Sequence, residues 1–181
     1  RLSAIIGLGV FGNTHFLPQL EEMLGEADRE LQERVFAATA IGLIGGPRVA
    51  ESLRQLLGTN AFRAHPTQVQ GALAYAVGIT RDPENAPLIR ALLQDSAATD
   101  YQVRAYLTLS LGKCGDAVDV PTLIDLLGNS ETQVRRSAAI ALGVLCREHR
   151  DEEPLALAVE ALTRTIRKEA DLMVRNYAYI A

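Results

Sequence analysis

Small and apolar residues recur along this chain in a fixed order. Each unit contains a glycine preceded by an aliphatic residue, with a small residue one position earlier. These glycines follow one another at intervals of 33, 36, 34 and 31 residues: Gly9, Gly42, Gly78, Gly112 and Gly143. Coincident offsets in successive units of this length indicate a repeat architecture rather than one globular core.

A second apolar pattern follows each of the first four glycines. Positions 11, 14 and 15 residues further on are apolar, for example Leu20, Met23 and Leu24 in the first unit. This spacing places them on one face of a helix. A proline nine residues after the glycine fits the first turn of that helix: Pro18, Pro87 and Pro121. A glycine sixteen residues after it predicts a left-handed helix end: Gly25, Gly58 and Gly128.

Each unit is therefore predicted to be a helical hairpin. Helix A ends near the repeated glycine, and helix B carries the leucine-rich pattern. The pattern predicts A helices at 1–10, 31–44, 67–79, 100–113, 131–147 and 171–181, and B helices at 14–24, 47–57, 83–94, 117–127 and 153–168. Stacked hairpins bury a continuous core that one hairpin cannot form alone. No segment has the pattern of a strand, so the predicted fold is an all-α solenoid of about five stacked hairpins.

The whole chain, 1–181, is predicted to form one array. Its units cover about 1–29, 30–65, 66–98, 99–129 and 130–170, and another begins at 171–181. The fifth unit is lengthened by a charged loop over 146–154. Neither end has the polar capping helix that a complete solenoid needs, so we expect a fragment of a longer array.

The segments VRRSAAIALG and VRAYLTLSLG, the latter followed by VPTLIDLL, resemble HEAT repeats of the short, phycobilisome-lyase HEAT-like type. The resemblance extends over essentially the whole chain. It implies a right-handed superhelix of armadillo type, with helices B lining the concave side. It does not imply one function, because such repeats form many scaffolds and a few enzymes.

Composition excludes several functional classes. The 18 Lys and Arg against 22 Asp and Glu leave a net charge of −4, which argues against nucleic acid as a partner. Two cysteines cannot build a disulfide framework and favour a reducing, cytoplasmic setting. The longest uncharged stretch, 2–20, is interrupted by polar residues and proline, so we expect no membrane span in this segment.

No residue set predicts catalysis, a cofactor or a metal site. The segment Gly7–Gly12 matches GxGxxG, but Pro18 follows too soon for a phosphate-binding helix, and no acidic strand end comes after it. The histidines His15, His65 and His149 lack ligand spacing, and Cys114 and Cys146 are interpreted as packing thiols. We therefore expect a protein that is not an enzyme.

A row of arginines lies eight residues before the repeated glycine, and Arg175 occupies the same position in the unit that begins at 171. We interpret the series as a structural stacking ladder, with Asp95 or Asp100 as partners of Arg104 or Arg135. The alternative is a surface that binds anionic ligands or nucleic acid. Its members are Arg34, Arg104, Arg135 and Arg175.

A polar stripe on helices B is the predicted partner-binding site. Its members are Gln19, Glu22, Glu26, Ser52, Gln55, Thr59, Leu88, Ala91, Asp95, Thr122, Asp125 and Asn129. The first hypothesis is a scaffold that binds a protein or peptide on the concave face. The alternative that the resemblance allows is an accessory or subunit of a chromophore (bilin) lyase-type enzyme.

Overall fold

The computed structural model describes the backbone of residues 1–95, 100–148 and 154–181, and the side chains of these residues except 148, 154 and 155. Residues 149–153 of the predicted charged loop, with His149 among them, lie outside the described residues. In chain order the helices are α1 (Leu2–Phe11), α2 (Leu17–Gly25), α3 (Leu31–Ile44), α4 (Pro47–Leu57), α5 (Asn60–Ala64), α6 (Thr67–Thr80), α7 (Ala86–Gln94), α8 (Tyr101–Cys114), α9 (Val120–Leu126), α10 (Thr132–Glu148), α11 (Pro154–Lys168) and α12 (Leu172–Ile180). The described part contains no strand.

These helices form the predicted solenoid of stacked hairpins. Helices A are α1, α3, α6, α8, α10 and α12, and helices B are α2, α4, α7, α9 and α11. Three of the B helices begin three residues later than predicted, because a one-turn 3-10 helix precedes each: Thr14–Phe16, Pro83–Asn85 and Ala117–Asp119. The prolines lie in the first turn of α2, α7 and α9, as predicted. The short helix α5 was not predicted.

Consecutive A helices touch through the repeated glycines. A β-carbon built on Gly42 would lie 2.7 Å from the Cα of Ala76, and one on Gly112 would lie 2.5 Å from the Cα of Ala141. Real β-carbon contacts are wider than this, so only glycine fits. The same contact joins every pair in the series Gly9–Ala40, Gly42–Ala76, Gly78–Ser110, Gly112–Ala141 and Gly143–Ala181. The small residue two positions before each glycine therefore receives the glycine of the preceding repeat.

The two layers of the solenoid are spaced differently. Each A helix packs extensively on the next, from α1 on α3 to α10 on α12. Consecutive B helices contact each other far less in the described part of the chain. A two-layer array bends toward its more closely spaced layer, so helices A line the concave side. The expectation that helices B line that side is wrong for this chain.

The residues with left-handed backbone conformation at helix ends also differ from those predicted. Gly58 has a right-handed φ of −74°, and Gly25 and Gly128 are absent from the residues with positive φ. Helix α4 instead ends in a right-handed turn, in which the Gly58 N–H donates to the Arg54 carbonyl at 3.1 Å. Among the described residues the positive φ values belong to Gly12, Gly45, Gly46 and Arg81, all at the ends of helices A.

Candidate functional site

The exposed side of the A layer is a surface that the fold builds from equivalent positions in successive repeats. Offsets −10, −7, −6, −3 and +1 from the repeated glycine share one face of each A helix. We call this surface the inner face. Its side chains are exposed or half-buried: Gln32, Val35, Phe36, Thr39, Leu43, Gln68, Tyr75, Ile79, Gln102, Tyr106, Leu109, Lys113, Gln133, Arg136, Ile140 and Val144.

Aromatic side chains occupy the middle of the inner face. The rings of Tyr75 on α6 and Tyr106 on α8 meet edge to face, with centroids 6.0 Å apart. The Nζ of Lys113 lies 4.6 Å from the Tyr75 centroid, within range of a cation–π interaction. Tyr106 covers Gly71, where a β-carbon would approach the Cδ2 of the ring to 2.9 Å. Tyr106 is nevertheless 42% exposed, so its other side faces solvent.

Two grooves open beside Tyr106, toward α10 and α12. The first has a volume of about 340 Å³ and is lined by residues that include Gln102, Tyr106, Leu109, Ile140 and Tyr177. A second groove of about 530 Å³ shares Ile140 and Tyr177 with it and continues along α11. Volumes of this size accommodate side chains or a small ligand.

The inner face has no acidic side chain at its repeat positions, although the chain as a whole is acidic. Its charged members are Lys113 and Arg136. Arg136 is held by Asp171, with Nε and Nη2 each within 3.2 Å of the carboxylate. This hydrogen-bonded arginine lowers the pKa of Asp171. The inner face therefore combines apolar and aromatic area with the positive charge of Lys113, while the charge of Arg136 is matched by Asp171.

The predicted stripe on helices B lies on the opposite, more widely spaced layer. Its members are all exposed or half-buried. Ser52 Oγ donates to Glu21 at 2.6 Å, and Asp95 pairs with Arg63 at 2.7 Å. Leu88, proposed as an apolar docking spot, is half-buried against the core. The stripe therefore does not lie on the concave face, and its role in binding stays a prediction.

The arginines of the ladder lie at the junctions between repeats. Arg135 donates from Nη1 to the carbonyls of Asn129 and Ser130 at 3.0 Å, and from Nε and Nη2 to the Glu169 carboxylate. Arg34 donates to the Leu24 carbonyl at 3.1 Å. Arg104 and Arg175 are half-buried at the equivalent positions. Glu169 rather than Asp95 or Asp100 is the acidic partner of Arg135, and Asp100 instead caps helix α8.

Two further arginines, on helices B, link successive hairpins through acidic and amide side chains, and sequence reasoning missed them. Arg54 on α4 donates to Asp82 at 2.9 Å and to Asn85 at 3.1 Å, both in the next hairpin. Arg90 on α7 donates to Asp119 at 2.7 Å. Both arginines lie twelve residues after the repeated glycine, and this shared offset was the signal that could have revealed them.

The ion pair between Glu169 and Arg135 should make the free energy of unfolding depend on pH. The pKa of Glu169 is lowered chiefly by the N–H of Asp171, with Arg135 contributing. A lowered carboxyl pKa stabilises the fold above the unfolded-state pKa, near 4.5, and the stabilisation disappears as the pH falls through the folded-state pKa. We expect Glu169→Gln to lose about 1 kcal/mol at pH 7, and we expect its difference from the wild type to shrink as the pH is lowered toward 3.

Urea unfolding across this pH range measures the difference. Glu160→Gln is the control, because Glu160 forms an exposed pair with Arg164 and should change stability little at any pH. A constant offset between Glu169→Gln and the wild type from pH 7 to pH 3 would contradict the interpretation.

Reactive groups are sparse in the described part of the chain. No group of three or more His, Cys, Asp or Glu side chains there is placed to hold a metal ion. Cys114 and Cys146 are buried free thiols, and burial raises the pKa of Cys114 to about 12. Gly7 and Gly9 lie inside helix α1 rather than in a strand-to-helix turn, which is the arrangement a dinucleotide site requires. No described helix combines the length and apolarity needed to cross a membrane.

Family models match most of the chain. The model for HEAT repeats matches residues 59–143 and 96–181, and the model for the PBS lyase HEAT-like repeat matches residues 33–59. The chain belongs to the HEAT repeat family. The HEAT-like resemblance inferred from VRRSAAIALG is thereby confirmed. No curated protein sequence matches this HEAT repeat chain.

Two solved structures are similar to this chain to different degrees. A chain in the structure of the complex of CpcE and CpcF of phycocyanin lyase from Nostoc sp. PCC7120 is similar to this HEAT repeat chain. The match covers 98% of this chain and 68% of the other, with 24% identity and a TM-score of 0.66. Human deoxyhypusine hydroxylase in complex with glycerol matches over 99% of this chain and 76% of that one, with 18% identity and a TM-score of 0.44. The first likeness supports the solenoid fold.

Proposed function

We propose that this chain is a non-enzymatic interaction module that holds a polypeptide segment on its inner face. The observation that carries the proposal is the exposed aromatic and apolar area around Tyr106, which is continuous with two grooves. Exposed tyrosines beside apolar grooves are typical of binding hot spots. The first hypothesis from the sequence is thus kept, with its site moved from helices B to helices A.

The polar edge of the inner face favours an extended segment. Glutamine occupies offset −10 in four successive repeats, and all four side chains are exposed: Gln32, Gln68, Gln102 and Gln133. A glutamine amide both donates and accepts hydrogen bonds. An extended chain lying across the A helices offers N–H and C=O groups along its length, and this row of amides would bind them whatever the side chains of the segment are.

Charge favours a segment that carries carboxylates. Arg136 is paired with Asp171, so Lys113 is the charged member of the inner face without an acidic partner among the described residues. An acidic residue of the segment near Lys113 would complement the surface, and a basic one would be repelled. Tyr106 would contribute apolar contact area to the same segment. We therefore expect the bound segment to combine acidic and apolar residues.

Selection from a display library of random linear peptides tests the proposal. Peptides selected on the wild type should be enriched in Asp and Glu, and Tyr106→Ala should weaken their binding roughly tenfold or more. Tyr179→Ala is the matched control, because Tyr179 is 80% exposed but lines neither groove. Equal losses from the two variants would refute the inner-face site.

The stripe on helices B is tested in the same assay. Glu22→Arg combined with Asp125→Arg should leave binding of these peptides unchanged if the inner face is the site. A loss confined to that double variant would move the site back to helices B.

A second candidate is a subunit of a bilin lyase-type enzyme. It is favoured by the match of residues 33–59 to the PBS lyase HEAT-like repeat and by the likeness to a structure described as a phycocyanin lyase complex. Incubation with a linear tetrapyrrole distinguishes the two candidates. A shifted absorbance spectrum, lost in Tyr106→Ala, supports the lyase-type role, and an unchanged spectrum leaves the peptide-binding module as the proposal.

A further inference from the structure

Arg34 is a buried arginine whose charge is not neutralised. The residue is only 6% exposed. Nε donates to the Leu24 carbonyl at 3.1 Å, and Nη2 lies 2.9 Å from Nδ1 of His65. Among the residues that the structure describes, Nη1 has no hydrogen-bond partner and no carboxylate lies within 4.0 Å of the guanidinium. Nη1 is not sealed in the core, so a ligand can reach it.

The equivalent arginine three repeats later is neutralised. Arg135 places two nitrogens on the carboxylate of Glu169, whereas Arg34 meets His65 at the corresponding junction. An arginine can only donate, so Nδ1 of His65 must accept and carries no proton. Burial and the nearby charge of Arg34 lower the pKa of His65, which keeps the ring neutral. The Arg34 junction therefore retains a full positive charge.

This charge borders an apolar groove. The groove has a volume of about 510 Å³ and lies between α2, α4 and α5, with Arg34 and His65 in its wall. Its remaining lining is mostly apolar: Leu24, Gly25, Ala27, Leu56, Ala61 and Ala64. Glu21 and Ser52 form its polar part, and Glu21 accepts a hydrogen bond from Ser52 while remaining exposed to water.

We propose that this groove binds an anionic carboxylate carried on a short apolar tail. The carboxylate would accept from Nη1 of Arg34, and the tail would lie against Leu24, Leu56 and Ala61. A buried cation without a counter-charge favours an anion more strongly than an exposed one, because less water screens it. The site is distinct from the inner face, so it goes beyond the proposed peptide-binding function.

Calorimetric titration with hexanoate, and with hexan-1-ol as the uncharged control, tests the site. We expect hexanoate to bind with a Kd of about a millimolar, as a ligand of so few atoms allows, and hexan-1-ol at least about tenfold more weakly. Binding of the two at equal strength, or no binding of hexanoate, would overturn the proposal.

Two variants locate the binding without removing the buried arginine. Ala61→Phe fills the groove from an exposed position and should abolish hexanoate binding. Glu21→Gln removes the one negative charge in the lining and should tighten binding about two- to fivefold. Hexanoate affinity that is unchanged in both variants would place the anion elsewhere and refute the site.

Arg34→Gln should weaken hexanoate binding at least about tenfold, since a charged hydrogen bond is lost.

A short apolar peptide, tested as the free acid and as the amide, identifies the source of the carboxylate. Tighter binding of the peptide acid than of hexanoate assigns the groove to a chain terminus, and the reverse assigns it to a small free acid.

Discussion

Replacing Asp119 with alanine should lower the free energy of unfolding by about 3 kcal/mol. The Asp119 side chain is fully buried, accepts from Arg90 at 2.7 Å and accepts from the N–H of Asp116 at 3.1 Å. Its removal deprives the partly buried Arg90 of its counter-charge and the Asp116 N–H of its acceptor. Both losses fall at the junction between α7 and the next hairpin, so the two repeats should separate more easily.

Urea unfolding followed by circular dichroism measures this loss. Asp95→Ala is the matched control: Asp95 pairs with Arg63, but both side chains are more than 40% exposed, so the change should stay within about 0.5 kcal/mol. Asp119→Asn keeps a hydrogen-bond acceptor without the charge, so its loss of unfolding free energy should lie between those of Asp119→Ala and Asp95→Ala. Equal stability of Asp119→Ala and Asp95→Ala would mean that the buried pair does not join the repeats.

Gly112→Ala should cost about 2 kcal/mol or more, because one methyl group is forced into a backbone contact. The new β-carbon would lie 2.5 Å from the Cα of Ala141, and backbone atoms cannot move aside as a flexible side chain can. Helices α8 and α10 must therefore move apart. That movement also disturbs the groove lined by Leu109 and Ile140 on the inner face.

Gly7→Ala provides the opposite result from the same chemical change. Gly7 lies within helix α1, and a β-carbon there would meet nothing within 4 Å. Alanine is a better helix former than glycine, so this variant should gain about 0.5–1 kcal/mol. Thermal unfolding of both variants checks the pair. A gain or no change for Gly112→Ala would show that the glycine contact does not set the helix spacing.

The fold was predictable because its determinants repeat. Helices α3 and α4 begin and end where the pattern predicts, and glycine or proline marks the end of α3 and both ends of α4. Helix α5 was missed because it occupies a single turn in one unit, held by the buried side chain of Phe62. The predicted left-handed ends at Gly25, Gly58 and Gly128 were wrong, because glycine at a helix end also permits the right-handed turn that Gly58 adopts.

The site was harder to predict than the fold. Leucine spacing identifies the buried side of a helix, but the spacing between layers, which decides the concave side, depends on backbone contacts such as Gly42 with Ala76. In the sequence those small residues predict close packing of helices A, but the resulting curvature depends on how much more widely helices B are spaced. The uncompensated charge of Arg34 was also invisible, because it depends on finding His65 where Arg135 finds Glu169.

The row of glycine contacts between helices A also determines the spacing of the side chains on the inner face. Because each contact holds two A helices at a set separation, it also sets the step from Gln68 to Gln102 and from Gln102 to Gln133 on the inner face. A segment lying across these amides would have to match that step with a whole number of its own residues. The glycines between helices A therefore determine how the segment's residues align with the repeats, although the segment does not contact them. A larger residue at one of these glycines would shift the alignment of every segment residue bound to the repeats that follow.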